Sequence, residues 1–164
     1  MINRIDSEQW ALCLVIFCGA ALSIALIMEH AFALAPCPLC LMQRIWVFWV
    51  GAFAYVGLIH NPRWGIYPLL SIVAAIVGAG FSIRQLYLQG LPAGKAPACG
   101  APVDYMIETS QFAELLAAMT RGTGDCATVS ASLLGISIPG WVLMSFVAMM
   151  VIGFLQWRSG GITG

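Results

Sequence analysis

Four apolar runs, at about 10–28, 41–59, 64–83 and 139–155, constrain this chain more than any other feature. A helix of about 20 such residues crosses a bilayer. Only 9% of residues are charged, against about 25% in a soluble domain of this size. Mean hydropathy is +0.92. The chain therefore reads as an all-α membrane protein: a four-transmembrane-helix bundle forming one integral membrane domain over residues 1–164, with little mass outside the lipid bilayer. The run at 10–28 is longer than the apolar core of a signal peptide, and Pro36 would follow the Ala33-Leu34-Ala35 cut, so retention is expected.

The second run is led by Pro36-Cys37-Pro38-Leu39-Cys40-Leu41-Met42-Gln43-Arg44. Pro38 suits the first helical position, where its missing N–H costs nothing and its φ is already helical. Cys37 is then the N-cap and Cys40 lies in the first turn. Free N–H groups and the positive end of the helix dipole favour a thiolate there. Cys37, Cys40 and Arg44 follow i, i+3, i+7 and share a face. Arg44 stays charged and offers planar donors. A plain structural disulfide is the alternative. A C-x-x-C loop closes few residues, however, and so removes little unfolded-state entropy. The motif reads as a redox pair facing a cation at the membrane edge.

The turn His60-Asn61-Pro62-Arg63 is short, so the second and third helices are antiparallel neighbours. Ser71, Ala75, Ala79 and Ala74, Gly78, Ser82 form stripes at spacing four, either a close-packing surface or simple abundance of small residues in lipid. Arg84 and Gln85 close the third run. The connection at 84–138 begins with a Gly/Pro-rich stretch for which no regular structure is expected. Phe112, Leu115, Leu116 and Met119 then predict a short amphipathic helix, lying on the membrane surface or against protein. Cys99 and Cys126 flank it in what reads as mobile loop.

Six cysteines are present. Cys13 and Cys18 fall within the first run, about 140° apart on a helix, and read as small buried apolar residues. The other four lie outside the runs. Four spans place both termini on one side and the connections 29–40 and 84–138 on the other. Arg4, Arg63 and Arg158 against Arg44, Arg84, Lys95 and Arg121 leave the positive-inside rule close to a tie. Cysteines gathered in polar connections point instead to an oxidising compartment, which puts the cysteine side outside the cytosol and both termini within it. Glu29 and His30 serve either proton movement near the sulfurs or interfacial capping. A net charge of zero excludes nucleic acid as a partner. Cys99 and Cys126 are too far apart for a paired zinc knuckle, so no metal is expected.

The motif at 36–44, the four spans, the late pair Cys99 and Cys126, and Ile138-Pro139-x-Trp141 together resemble the disulfide bond formation protein B (DsbB) family over nearly the whole chain. That resemblance implies a bacterial inner-membrane enzyme with periplasmic cysteine loops. It would reoxidise a periplasmic thioredoxin-like oxidase of the DsbA type and pass electrons to the membrane quinone pool, ubiquinone or menaquinone. It also implies roles. Cys99 would hold the mixed disulfide with the partner, and Cys126 would attack Cys37. Cys40 would become the thiolate beside the quinone, and Arg44 would bind a quinone oxygen. Many members carry a His beside the arginine that ends the third span, where this chain has Gln85 after Arg84. The expectation is that any such quinone-contacting role is altered in Gln85 or passes to His30. Rival readings are an enzyme like the vitamin K epoxide reductases, whose C-x-x-C is expected late in the chain, and a non-catalytic four-cysteine scaffold or metal site.

Overall fold

The computed structural model describes residues 6–32, 36–61, 64–92, 97–100, 103–108, 112–128, 132–133 and 135–161; Arg4, the tripeptide 33–35, Pro62, Arg63 and Lys95 lie outside the described residues. Four helices are long and apolar enough to cross a membrane: α1 (Ser7–Phe32), α2 (Pro38–His60), α3 (Ile66–Gln89) and α6 (Ile138–Gly161). They pack in the ring order α1, α2, α3, α6 and back to α1. Between α3 and α6 lie α4 (Val103–Glu108), α5 (Phe112–Arg121), a 3₁₀ turn (Gly124–Ala127) and a hairpin of β1 (Ser132–Leu133) and β2 (Ile136–Ser137).

Inside the ring sit Leu14, Cys18, Val47, Val50, Ala54, Ala75, Phe146 and Met149. Large apolar residues such as Ile16, Ile24, Ile59 and Ile83 point outward, as a lipid-facing surface requires. With no hydrophobic drive between helices in lipid, close packing must hold the ring together. The small residues of α3 supply it: Ser71, Ala74, Ala75, Gly78, Ala79 and Ser82 are all buried. A Cβ on Gly78 would lie 2.2 Å from the Phe146 ring, so the ring of α6 rests directly on the α3 backbone. Ser71 Oγ donates to the Val50 carbonyl at 3.3 Å, tying α3 to α2. Cys18 is buried against Gly51, whereas Cys13 is exposed on the outer face of α1, contrary to the reading of both as buried.

The helices overrun the apolar runs at the end where the cysteines lie. α1 continues through Glu29 and His30, and α3 continues past Arg84 and Gln85 to Gln89. These polar residues stay helical because they find partners: Glu29 pairs with Arg44 and Gln85 is buried among polar atoms. α5 is the expected amphipathic helix, with a narrower buried face than its spacing suggested. Ala118 is buried, Leu115 and Met119 are half-buried, and Phe112 and Leu116 are exposed. It packs against α2 and α4. Its C-terminus is closed twice. Gly122, at φ 81°, donates to the Ala118 carbonyl at 2.9 Å, and Arg84 Nε donates to the Arg121 carbonyl at 3.3 Å. Neither α4 nor the hairpin was expected from the sequence; the hairpin turns through Gly135, at φ 79°, and leads directly into α6.

Candidate active site

Cys37 caps α2 as its sequence predicts. Its backbone is extended (φ −71°, ψ 161°), Pro38 occupies the first turn, and its sulfur accepts the Cys40 N–H at 3.4 Å. The two sulfurs lie 2.7 Å apart, and both are free thiols. α3 lays Gln85 over them. Gln85 Nε2 is 3.3 Å from each sulfur, and its Oε1 accepts from Gln43 Nε2 at 2.8 Å. Both amides are 3% exposed.

Cys126 approaches from the other side. It is fully buried with Leu39 and Leu88, next to Cys37. Gly122 makes this descent possible, since a Cβ there would lie 2.6 Å from Leu88 and 2.8 Å from Leu39. The mobile loop expected around Cys126 is instead a 3₁₀ turn locked onto the bundle, because apolar contacts with α2 and α3 outweigh the freedom of its glycines. Cys37 packs against the cluster that holds Cys126, and their interaction divides their chemistry. Chiefly the interaction with Cys37 brings the Cys126 thiol down to about 6, against burial, with help from the Leu39 and Thr123 backbone and the Thr123 hydroxyl. The same interaction, with the hydrogen bond to Cys40 and with burial, pushes the Cys37 thiol up. Cys37 therefore holds its proton more firmly than Cys126 does.

Cys99 is exposed, as a thiol open to a soluble partner must be. Its segment rests on the turn that carries Cys126: Gly124 N–H donates to the Ala98 carbonyl at 3.1 Å, and a Cβ on Gly124 would be 3.1 Å from Cys99 Sγ. All four cysteines of the connections thus gather at one end of the bundle, with Cys126, Cys37 and Cys40 in a row and Cys99 on the outside.

Arg44 does not turn to the sulfurs. Its Nη1 pairs with Glu29 Oε2, and its Nη2 donates to the Ala25 carbonyl at 3.1 Å. It borders a cleft of about 290 Å³ lined also by Leu22, Leu26, Ile45 and Phe48. Apolar walls with one guanidinium suit a flat apolar ring that carries a carbonyl oxygen. Gln85 lies on the sulfur pair and not in this lining. His30 is exposed, and its Nδ1 donates to the Leu26 carbonyl at 2.9 Å. Among the described residues no hydrogen bond joins His30 to the sulfurs or to Arg44. Two contributors escaped the reading of the sequence. Gln43 stands three residues after Cys40, on the same helical face, and that spacing was the available signal. Glu29 was noted only beside His30, and nothing local marks it as the partner of Arg44.

The disulfide bond formation protein DsbB family matches residues 7–156 of the chain. A disulfide bond formation protein B from Marinobacter nauticus is 44% identical over 151 residues, covering 90% of each chain. One from Nitrosococcus oceani is 40% identical over 163 residues, covering 96% of each, and one from Stutzerimonas stutzeri is 41% identical over 151 residues, covering 89% of this chain and 93% of the relative.

Proposed function

The chain belongs to the disulfide bond formation protein B family, and on that premise we propose that this multi-pass membrane redox protein is a thiol:quinone oxidoreductase of the bacterial inner membrane. It reoxidises a thioredoxin-like dithiol in the periplasm, where the four cysteines of the connections face, and both termini are cytoplasmic. The observation that carries the reading is the position of Cys37, 2.7 Å from Cys40 and packed against the buried cluster that holds Cys126. A single sulfur therefore links the pair of Cys99 and Cys126 to the pair at the membrane.

The steps follow from in-line thiolate attack on a disulfide. The reduced partner's thiolate attacks Cys99 of a Cys99–Cys126 disulfide, forming a mixed disulfide and releasing Cys126 as thiolate. The partner's second thiol then attacks its own bridged sulfur, freeing Cys99 and leaving the partner oxidised. Cys126 attacks Cys37 of a Cys37–Cys40 disulfide, forming Cys126–Cys37 and releasing Cys40 as thiolate. Cys99 displaces Cys37 from Cys126, which restores Cys99–Cys126 and leaves Cys37 and Cys40 reduced. Exposure of Cys99 serves the first exchange, because access controls the rate of thiolate attack.

Ubiquinone or menaquinone, bound in the cleft beside Arg44, supplies the sink for the two electrons and two protons that Cys37 and Cys40 give up on closing their disulfide. Leu22, Leu26, Ile45 and Phe48 would hold its apolar body, and Arg44 would bind a carbonyl oxygen. Glu29 and the Ala25 carbonyl orient the guanidinium for that contact. Arg44 does not supply protons at neutral pH, since its pKa exceeds about 12.

The test is coupled turnover in nanodiscs without oxygen. One quinol should form per reduced thioredoxin-like dithiol oxidised, and Cys40→Ser should abolish quinol formation. Quinol formation retained in Cys40→Ser would remove Cys40 from the route.

A further inference from the structure

We propose that Gln43 and Gln85 form a locked amide pair that presents one N–H bond to each sulfur of Cys37 and Cys40, favouring the reduced pair over its disulfide. The proposed route through these cysteines gives the device its use, but the device itself concerns the thiols alone. Gln85 Nε2 lies 3.3 Å from Cys37 Sγ and 3.3 Å from Cys40 Sγ, closer than the 3.7 Å at which Gln85 Oε1 accepts from a protonated Cys40 thiol. A carboxamide nitrogen has two hydrogens, so the count of donors equals the count of sulfurs.

What fixes the amide is Gln43. Its Nε2 donates to Gln85 Oε1 at 2.8 Å, from the same helix that bears the cysteines. With Gln43 as it stands, turning the Gln85 amide over would set Nε2 against Nε2, donor against donor, and would aim an oxygen lone pair at both sulfurs. Both side chains are 3% exposed, so water cannot stand in for either partner. In such a site a hydrogen bond to the charged form favours that form. A thiolate gains far more from an N–H donor than a disulfide sulfur does, because its acceptor is ionised. Gln85 carries no ionisable proton. It acts through the sulfurs as a positioning residue and never as a proton donor.

The equilibrium affected is the exchange of the Cys37–Cys40 disulfide with two glutathione thiols. Glutathione gives two electrons to the S–S bond, two protons go to the protein sulfurs, and glutathione disulfide forms. The amide pair adds no atom to this balance and shifts only its position.

The experiment uses the full chain in nanodiscs with neither quinone nor dithiol partner. Samples are equilibrated in glutathione buffers and quenched with acid, and the Cys37–Cys40 peptide is quantified by mass spectrometry. Alkylation of the same peptide against pH reads the thiolate directly. Gln85→Leu should shift the equilibrium about tenfold toward the disulfide, about 30 mV for two electrons, and raise the alkylation midpoint by about one unit. Gln85→Glu should shift both further in the same direction, since a carboxylate repels a thiolate. Gln43→Met, which leaves Gln85 in place but unlocked, should give a smaller shift of the same sign. Gln85→His should restore part of the effect by returning one donor. Wild-type values in both Gln85→Leu and Gln43→Met would overturn the proposal, as would shifts toward the dithiol, even if stability fell. Should Gln85→Leu fail to fold, Gln43→Met alone decides. A chain that failed to reduce quinone would leave these thiol readouts untouched, so the two proposals fail separately.

Discussion

Cys37, at the cap of α2, packs against the cluster that holds Cys126 in the turn after α5, and there the Cys126 thiol is drawn down and the Cys37 thiol is pushed up. A free thiol ionises near 8.5. Cys126 is drawn to about 6, so in the reduced protein it is protonated below that pH and a thiolate above it. The ultraviolet thiolate absorbance lost in Cys126→Ser should titrate with that midpoint, and Cys37→Ala should move the Cys126 midpoint up. A Cys126 midpoint near 8.5 in the unaltered chain would contradict the assignment.

Gly122 is constrained in two ways, by its φ of 81° and by Leu39 and Leu88 beneath it. A left-handed conformation costs an L-residue about 1–2 kcal/mol, and the overlap adds to that. Gly122→Ala should lower denaturation stability by at least about 1–2 kcal/mol and lift the Cys126 turn, so that buried Cys126 becomes open to alkylation. Unchanged protection of Cys126 would show that the turn is held some other way.

Arg44 is held by Glu29 and the Ala25 carbonyl at the edge of the apolar cleft. Losing a charged hydrogen bond there costs about 1.5–3 kcal/mol. Arg44→His should accordingly raise the quinone KM by roughly tenfold or more, while a stoichiometric exchange between Cys99 and the dithiol survives. An unchanged quinone KM would remove Arg44 from the quinone site.

Gly78 and Gly80 give a paired test of the bundle. A methyl on Gly78 would strike the Phe146 ring, whereas one on Gly80 meets nothing within 4 Å. Gly78→Ala should cost about 1–3 kcal/mol through overpacking, and Gly80→Ala should leave the unfolding midpoint in detergent where it was. Equal effects would mean that α3 and α6 do not depend on this contact.

The spans were legible because a lipid-crossing helix must be apolar along its whole length, and the cap at Cys37 because Pro38 has few other places to sit. The small residues of α3 were visible as stripes, and Gly78 against Phe146 shows what they are for. The ends of α1 and α3 were misplaced because Glu29 and Gln85 look like terminators by composition; only their partners on α2 reveal why the helices continue. The turn at Cys126 was hidden for a related reason. Its glycines allow a loop, and burial against Leu39 and Leu88, distant in sequence, decides otherwise. Local chemistry thus identified the sulfurs, and tertiary contact determined which of them meet.

The central claim is that electrons cross from Cys99 and Cys126 to the membrane pair through a bond between Cys126 and Cys37. Oxidised protein mixed with a reduced thioredoxin-like dithiol, quenched with acid at short times and mapped without reduction, tests it most directly. A peptide bridged between Cys126 and Cys37 should form and decay within turnover. A time course in which Cys37 and Cys40 become reduced with no such bridge, or with Cys126 joined to Cys40 instead, would contradict it.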